Sequence, residues 1–195
     1  MTVAALAVSQ LWGVTPTVST VTTPRMSTTD SNAPANTYPI PLPAAGLNYS
    51  YWMSLALTIT NIQDATLLNN HKLYMDGACG WNLGTSGELN VGLRDSGDNG
   101  CPEVSYQQAL GTEGTTGYDL ADDTNGHAYY KSQVPEEGAL DGYTSGAPLT
   151  VDSGDHTIAE QFNHVVLQCV VDTEANGAVR GAQVAETVTF QYDEI

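Results

Sequence analysis

The side chains with most scope for chemistry are carboxylates, and many sit in glycine-rich loop sequence. Asp119, Asp122, Asp123 and Asn125 form one group, and Asp95, Asp98 and Asn99 form another. Calcium is bound by several oxygen ligands that flexible loops can bring together, so the first group is the expected site for a structural calcium ion. Neither group has the spacing or the terminal Glu of an EF-hand. Turn capping by the same Asp and Asn side chains is the competing reading, with Gly97, Gly100 and Gly126 supplying permissive backbone.

Three cysteines allow one pair and a remainder. Cys79 and Cys101 both lie in Gly-rich loop sequence, and a disulfide between them is expected to contribute about 3 kcal/mol by closing the loop in the unfolded chain. Cys169 lies in the apolar run HVVLQCVVD and reads as a small buried hydrophobe, with no nearby cation to favour its thiolate. No CxxC pair or close Cys/His group points to zinc.

The four histidines, His71, His127, His156 and His164, fall in no HExxH or other short ligand motif. His164 occupies the polar parity of its strand, which suits a surface or inter-sheet hydrogen bond, and His156 reads as a turn boundary. Acids are plentiful, but sequence spacing singles out no acid and base pair of the kind a glycosidase needs. GxSxG, P-loop and dinucleotide fingerprints are missing. No catalytic residue and no cofactor are expected, and the chain reads as a non-enzyme.

Ten tyrosines against two phenylalanines suit surfaces where a ring and a hydroxyl must coexist, including sugar sites and protein contacts. Trp12, Trp52 and Trp81 are too scattered to declare a stacking platform, with Trp81 the residue to test for glycan binding. Asn48-Tyr49-Ser50 is a glycosylation sequon just before the first strong strand, so Asn48 is the expected acceptor in a secreted protein.

Charge narrows the partners. With 22 acidic against 5 basic residues and a formal charge of -17, the chain lacks the cations a phosphate backbone requires, and no nucleic-acid partner is expected. No window approaches the run of about 20 apolar residues of a membrane helix, so a soluble chain without a membrane-spanning segment is expected. The opening MTVAALAVSQLWG has neither a basic start nor a clear cleavage pattern, and no ordinary signal peptide is read there.

The elements that must position these groups are strands. In SYWMSLALTIT, Met53, Leu55, Leu57 and Ile59 alternate with Ser54, Ala56, Thr58 and Thr60, the mark of a half-buried strand. Leu89, Val91 and Leu93 repeat the pattern. LLNNHKLYM predicts a strand pair turning at Asn69–Asn70 or a single irregular strand. PLTV, HTIAEQFNHVVLQCVV and AQVAETVTFQYDE follow as three more, with Val165, Leu167, Cys169 and Val171 on one side of the second and Val184, Val188, Phe190 and Tyr192 on one side of the third. Ile158 and Phe162 fall in the opposite parity to Val165, which predicts a β-bulge around Gln161–Asn163 that turns both sets inward; the rival is a helical turn over Thr157–Phe162.

Residues 15–45 hold six of the nine prolines and many threonines, which disfavours helix and predicts an extended arm with an edge strand near Thr17–Thr22. Between 76 and 150 lie 14 of the 19 glycines, so this half reads as long surface excursions. Within it, Tyr129–Tyr130 is a candidate strand, and the stretch from Gly111 through Gly126 is a candidate cover for one sheet face.

The expected architecture is an all-β, antiparallel β-sandwich of immunoglobulin-like or jelly-roll-like type, with long loop excursions. An N-terminal arm occupies 1–45, and the sandwich domain occupies 46–195 with the 76–150 excursion. The pattern is similar to structural β proteins of virions and extracellular filaments. The arm, with few charged residues, many Thr and Val residues and dispersed prolines, suits addition across an exposed sheet edge, so a non-enzymatic subunit of a homopolymer with other copies of itself as partners is expected. A secreted carbohydrate-binding or adhesion module, with a glycan as partner, is the alternative.

Overall fold

The computed structural model describes residues 3–15, 17–94, 108–120 and 136–195. Among the described residues the regular structure is ten strands and two short 3-10 turns, Leu140–Gly142 and Glu174–Asn176, with no α-helix. The strands are β1 (Ala5–Trp12), β2 (Thr17–Thr20), β3 (Asn48–Tyr49), β4 (Met53–Asn61), β5 (Leu68–Met75), β6 (Glu88–Arg94), β7 (Glu136–Ala139), β8 (Leu149–Asp152), β9 (Gln161–Val171) and β10 (Val188–Glu194). One sheet runs β2-β1-β4-β9-β6-β7, and β3 pairs with β9 just ahead of β4; the second runs β10-β5-β8. The two sheets pack face to face, as the alternating sequence predicts.

Their inner faces meet in one core. Met53 and Leu55 from β4, Leu89 and Val91 from β6, and Val165, Leu167, Cys169 and Val171 from β9 face Leu73 and Met75 from β5 and Leu149 and Val151 from β8. Each such side chain contributes about 1.5–3 kcal/mol on leaving water, which is what holds one sheet on the other. A second cluster adds Leu57, Ile59, Leu68 and Phe162 at the far end.

The predicted bulge is present. Ala56 pairs with His164 but Thr58 pairs with Gln161, so β9 spends one residue more than β4 over this interval, and Phe162 and Val165 are both fully buried. Ile158 departs from expectation: it precedes β9, belongs to no strand and is 61% exposed. Val184 is likewise 64% exposed, because β10 begins only at Val188 and no strand lies beside the residues ahead of it. LLNNHKLYM is a single irregular strand, and Asn70 takes the irregularity at φ +55°.

The N-terminal segment supplies two strands. β2 lies where the edge strand is expected. β1, whose sequence ALAVSQLW shows no clean polar and apolar alternation, pairs with β4 from Ala5↔Asn61 to Leu11↔Ser54 and buries Leu11 completely. The proposed strand at Tyr129–Tyr130 lies outside the described residues.

At the far end of the sandwich, His71 on β5 is fully buried and neither ring nitrogen has a hydrogen-bond partner. Its ring stacks on Phe190 at 5.5 Å and tilts against Phe162 at 4.7 Å. His156 sits beside it, with Nδ1 3.0 Å from Glu160 Oε1 and Nε2 3.3 Å from Asp152 Oδ2, the latter without hydrogen-bond alignment. Burial is the main cause that lowers the His71 pKa from 6.5 to about 4; His156 adds to it and Asp152 opposes it.

Above pH 6.5 His71 is neutral folded or unfolded, whereas between 6.5 and about 4 the unfolded chain takes up the proton more readily. Folding stability should therefore fall as pH is lowered through that window, by about 3 kcal/mol from this group. Urea unfolding of the wild type and His71→Leu at pH 7 and pH 4.5 checks this. The variant should lose distinctly less stability on acidification, and equal losses would remove His71 from the account.

Candidate functional site

β4 and β9 are buried on both faces, so the outer face of the large sheet needs a cover. Ser54, Ala56, His164, Val166, Gln168 and Val170 all point outward from these strands and are nonetheless inaccessible. Residues 108–120 supply part of that cover, with Ala109 and Leu120 packing on Tyr51, Trp52 and Val166. His164 and Gln168 find their partners locally, whereas Asn90 Oδ1, on the neighbouring strand, is buried without one among the described residues. His164 Nδ1 lies 3.0 Å from Ser54 Oγ and its Nε2 lies 3.2 Å from Gln161 Oε1. Gln168 Oε1 accepts from Leu120 N, and Gln168 Nε2 donates to the Ser50 and Tyr118 carbonyls.

Two glycines seat this loop. Gly111 and Gly117 bridge each other, Gly117 N donates to Tyr49 O, and Gly114 N donates to Thr28 O. A Cβ on Gly117 would stand 2.4 Å from Ser50 O, and one on Gly111, at φ +133°, would stand 2.3 Å from Tyr51 Cε1. Only glycine lets the two backbones approach this closely.

Clefts flank Gly111 on either side. The larger, about 460 Å³, is lined by Leu47, Tyr49, Thr112, Thr115, Tyr118 and Asp119 among others. The smaller, about 280 Å³, lies at the β1–β2 turn between Gly13, Thr29, Asp30, Tyr51 and Glu113. Its two carboxylates hold structure together. Asp30 Oδ2 accepts from Gly13 N at 2.8 Å, and Glu113 Oε1 accepts from Thr29 Oγ1 at 2.8 Å. Burial, then the charges of Glu113 and Asp30 and the neighbouring Tyr118, push the Tyr51 phenol up to about 12, so it remains protonated at neutral pH.

Beside the smaller cleft lies the hairpin edge. β2 pairs with β1 from Ser9↔Thr20 to Trp12↔Thr17 and ends the large sheet, while Trp12 Nε1 donates to Ser19 Oγ across the pair. Thr17 and Thr20 are exposed, and Val18 and Ser19 are half-buried.

The residues singled out in the sequence are mostly dispersed. Asp119 lines the larger cleft, but Asp122, Asp123 and Asn125 lie outside the described residues, as do Asp95, Asp98, Asn99 and His127. Among the described residues no group of three His, Cys, Asp or Glu could hold a metal ion.

No disulfide is present among the described residues. Cys79 is a free, half-buried thiol packed against the core that contains Cys169, its amide donating to Asp141 Oδ2, while Cys101 lies outside the described residues. Burial raises the pKa of Cys79 and lifts that of Cys169 to about 12, consistent with inert thiols.

Asn48 Nδ2 donates to Pro41 O and Ser50 is fully buried, so the sequon is tied into the fold. Trp81 packs against the core and gives its indole N–H to Val184 O, and Trp52 is buried with its N–H on Tyr118 O. The clefts themselves escape sequence reasoning, because their walls come from segments far apart in the chain; the paired glycines of GTEGTTG were the only local signal.

Gly117→Ala should lower stability by about 1–3 kcal/mol, because the added methyl meets backbone that cannot turn aside. Tryptophan emission should shift to the red as water reaches Trp52; unchanged emission and an unchanged unfolding midpoint would refute the close seating of the loop. Neither family models nor curated proteins nor solved structures match this chain, so a functional reading has to come from its own residues and geometry.

Proposed function

We propose that the chain is a non-enzymatic structural subunit of a homopolymer, of the extracellular filament or virion kind, joined through its N-terminal hairpin. The observation that carries this reading is the distribution of charge over the sheet edges. No Asp, Glu, Lys or Arg precedes Arg25, although the whole chain carries -17. The other terminal strands all bear carboxylates: Glu136 and Glu137 on β7, Asp152 on β8, and Asp193 and Glu194 on β10.

Exposed edges invite pairing with another chain, and charged side chains are a common means of preventing it. Copies of so acidic a protein repel one another over the Debye length, about 8 Å at physiological salt. The β1–β2 hairpin is where two copies can meet without bringing carboxylates of that element together. Its Thr and Val residues suit an extended backbone, and Pro24 stops the ladder from running further along the chain.

A second reading draws on the larger cleft, where Tyr49, Tyr118, Asp119 and the Thr hydroxyls offer the rings and polar groups that a sugar requires. Tyr118, 46% exposed, is the side chain to change. Binding on a glycan array that disappears in a folded Tyr118→Ala protein would support an adhesion module; an array without signal would exclude the glycans it carries.

The polymer reading is checked with Val18→Lys, which places a charge on the edge strand. Concentrated wild-type protein should form filaments or shells visible by negative-stain electron microscopy, more readily as salt is raised. If copies join along the outer edge of β2, the variant should stay monomeric by light scattering while its circular dichroism is unchanged. Assembly equal to wild type in the variant would exclude that edge and leave only a joint made through β1.

A further inference from the structure

Resting on that reading, we propose that copies are joined by exchange of the N-terminal hairpin. β1 and β2 of one copy leave their own sheet, and β1 pairs with β4 of the next copy in the register it holds within a single chain. The recipient's own hairpin passes onward in the same way. Donor and acceptor surfaces then differ, which makes a head-to-tail contact that extends into a filament wherever its rotation does not close a ring.

Pairing through the outer edge of β2 alone offers a ladder of four residues. The β1–β4 seam is far larger. It comprises seven register pairs, the complete burial of Leu11, and the near-complete burial of Ala4, Ser9 and Gln10. An exchanged hairpin recovers all of this across the joint, because every contact it gives up at home is made again on the acceptor. Such ties as Gly13 N to Asp30, Gln10 Nε2 to Ser31 O, and Ala4 N to Glu194 are remade with the acceptor's residues.

The hairpin is also separable. Thr22, Thr23, Pro24 and Arg25, which link it to the body, are all exposed. Immediately beyond, Ser27, Thr28 and Thr29 are buried and fixed, with Ser27 O accepting from Tyr51 N and Thr28 O accepting from Gly114 N. A solvent-facing link therefore stands between two anchored parts. Extended, its four residues span about 13 Å, and the fixed φ of Pro24 disfavours its collapse into a helix.

Departure of the hairpin would leave β4 as a sheet edge, and Met53–Asn61 contains no charged residue to protect it. An uncovered edge of that composition pairs with whatever strand is offered. The strand that fits it in register and side-chain shape is β1, and in concentrated protein other copies supply it.

Cysteines at Ala7 and Thr58, which face each other across the seam, report which chain occupies it. The double variant Ala7→Cys, Thr58→Cys is assembled under reducing conditions, oxidised with diamide, and run on a denaturing non-reducing gel beside a control with the native cysteines alone. Exchange predicts a ladder of covalent dimers, trimers and longer chains absent from the control. Oxidising the monomer first should lock the hairpin at home and abolish assembly until reductant is added.

Filaments that yield only single-chain bands, or oxidised monomers that assemble as well as reduced ones, would overturn exchange and leave the polymer reading standing. Protein that stays solitary at every concentration and salt would defeat the polymer reading, and the exchange with it.

Discussion

Everything else in the structure hangs on β9 being covered on both faces. Its inner side chains, Val165, Leu167, Cys169 and Val171, build the sandwich core, while its outer ones, His164, Val166, Gln168 and Val170, are equally shut away from water. A strand in that position leaves no room for a slip of register, since moving by one residue would exchange the two sets and bring His164 and Gln168 into apolar surroundings. The bulge near Gln161 is the one tolerated irregularity. It lets Phe162 close the end of the core without turning Val165 out. β4, β6 and β3 take their positions from β9, and β1 takes its position from β4.

Double coverage also explains the Gly- and Thr-rich stretch at 108–120. A loop with little apolar mass adds little to a core through burial, so this one binds through hydrogen bonds and close approach. Gln168 answers Leu120 and Tyr118, Trp52 caps the Tyr118 carbonyl, and Gly117 lies against Ser50. The resulting surface is polar and shallow, with two clefts and carboxylates already committed to the backbone amide of Gly13 and the hydroxyl of Thr29. Such groups brace the hairpin turn and the loop.

Sequence made the inner faces legible because two-residue alternation reports directly on one buried side. Met53 to Ile59, Leu89 to Leu93 and Val165 to Val171 all face inward as their spacing requires. The conflict of parity between Phe162 and Val165 exposed the bulge. Alternation says nothing of whether the other side meets water: the polar parity of His164 suited a surface position as well as an inter-sheet hydrogen bond, yet it is fully buried, and Gln168 lies beneath the distant loop at 108–120. Ile158 and Val184 show the converse. Each fits an apolar spacing, yet neither has a partner strand to bury it, and both stand exposed. β1 was concealed for a third reason: Ser9 and Gln10 are polar residues in buried positions, so its sequence shows no clean alternation. Of the candidate site, the edge strand at Thr17–Thr20 was readable, whereas the clefts depend on contacts between segments far apart in sequence.

Placing the uncharged residues first in the chain has a consequence for how stability and association compete. In a body with so many carboxylates, contact between copies through acidic edges is opposed by their charge, and the opposition weakens only as salt screens it. The hairpin contributes nothing to that repulsion, yet it covers β4, whose charge-free sequence would otherwise be the least protected edge in the molecule. One element thus shields the sheet within a copy and is the least repelled when offered to another. In the proposed exchange the two roles would use the same hydrogen-bond ladder and the same buried Leu11, so the balance between them would be set less by contact strength than by protein concentration and by the exposed link Thr22–Arg25.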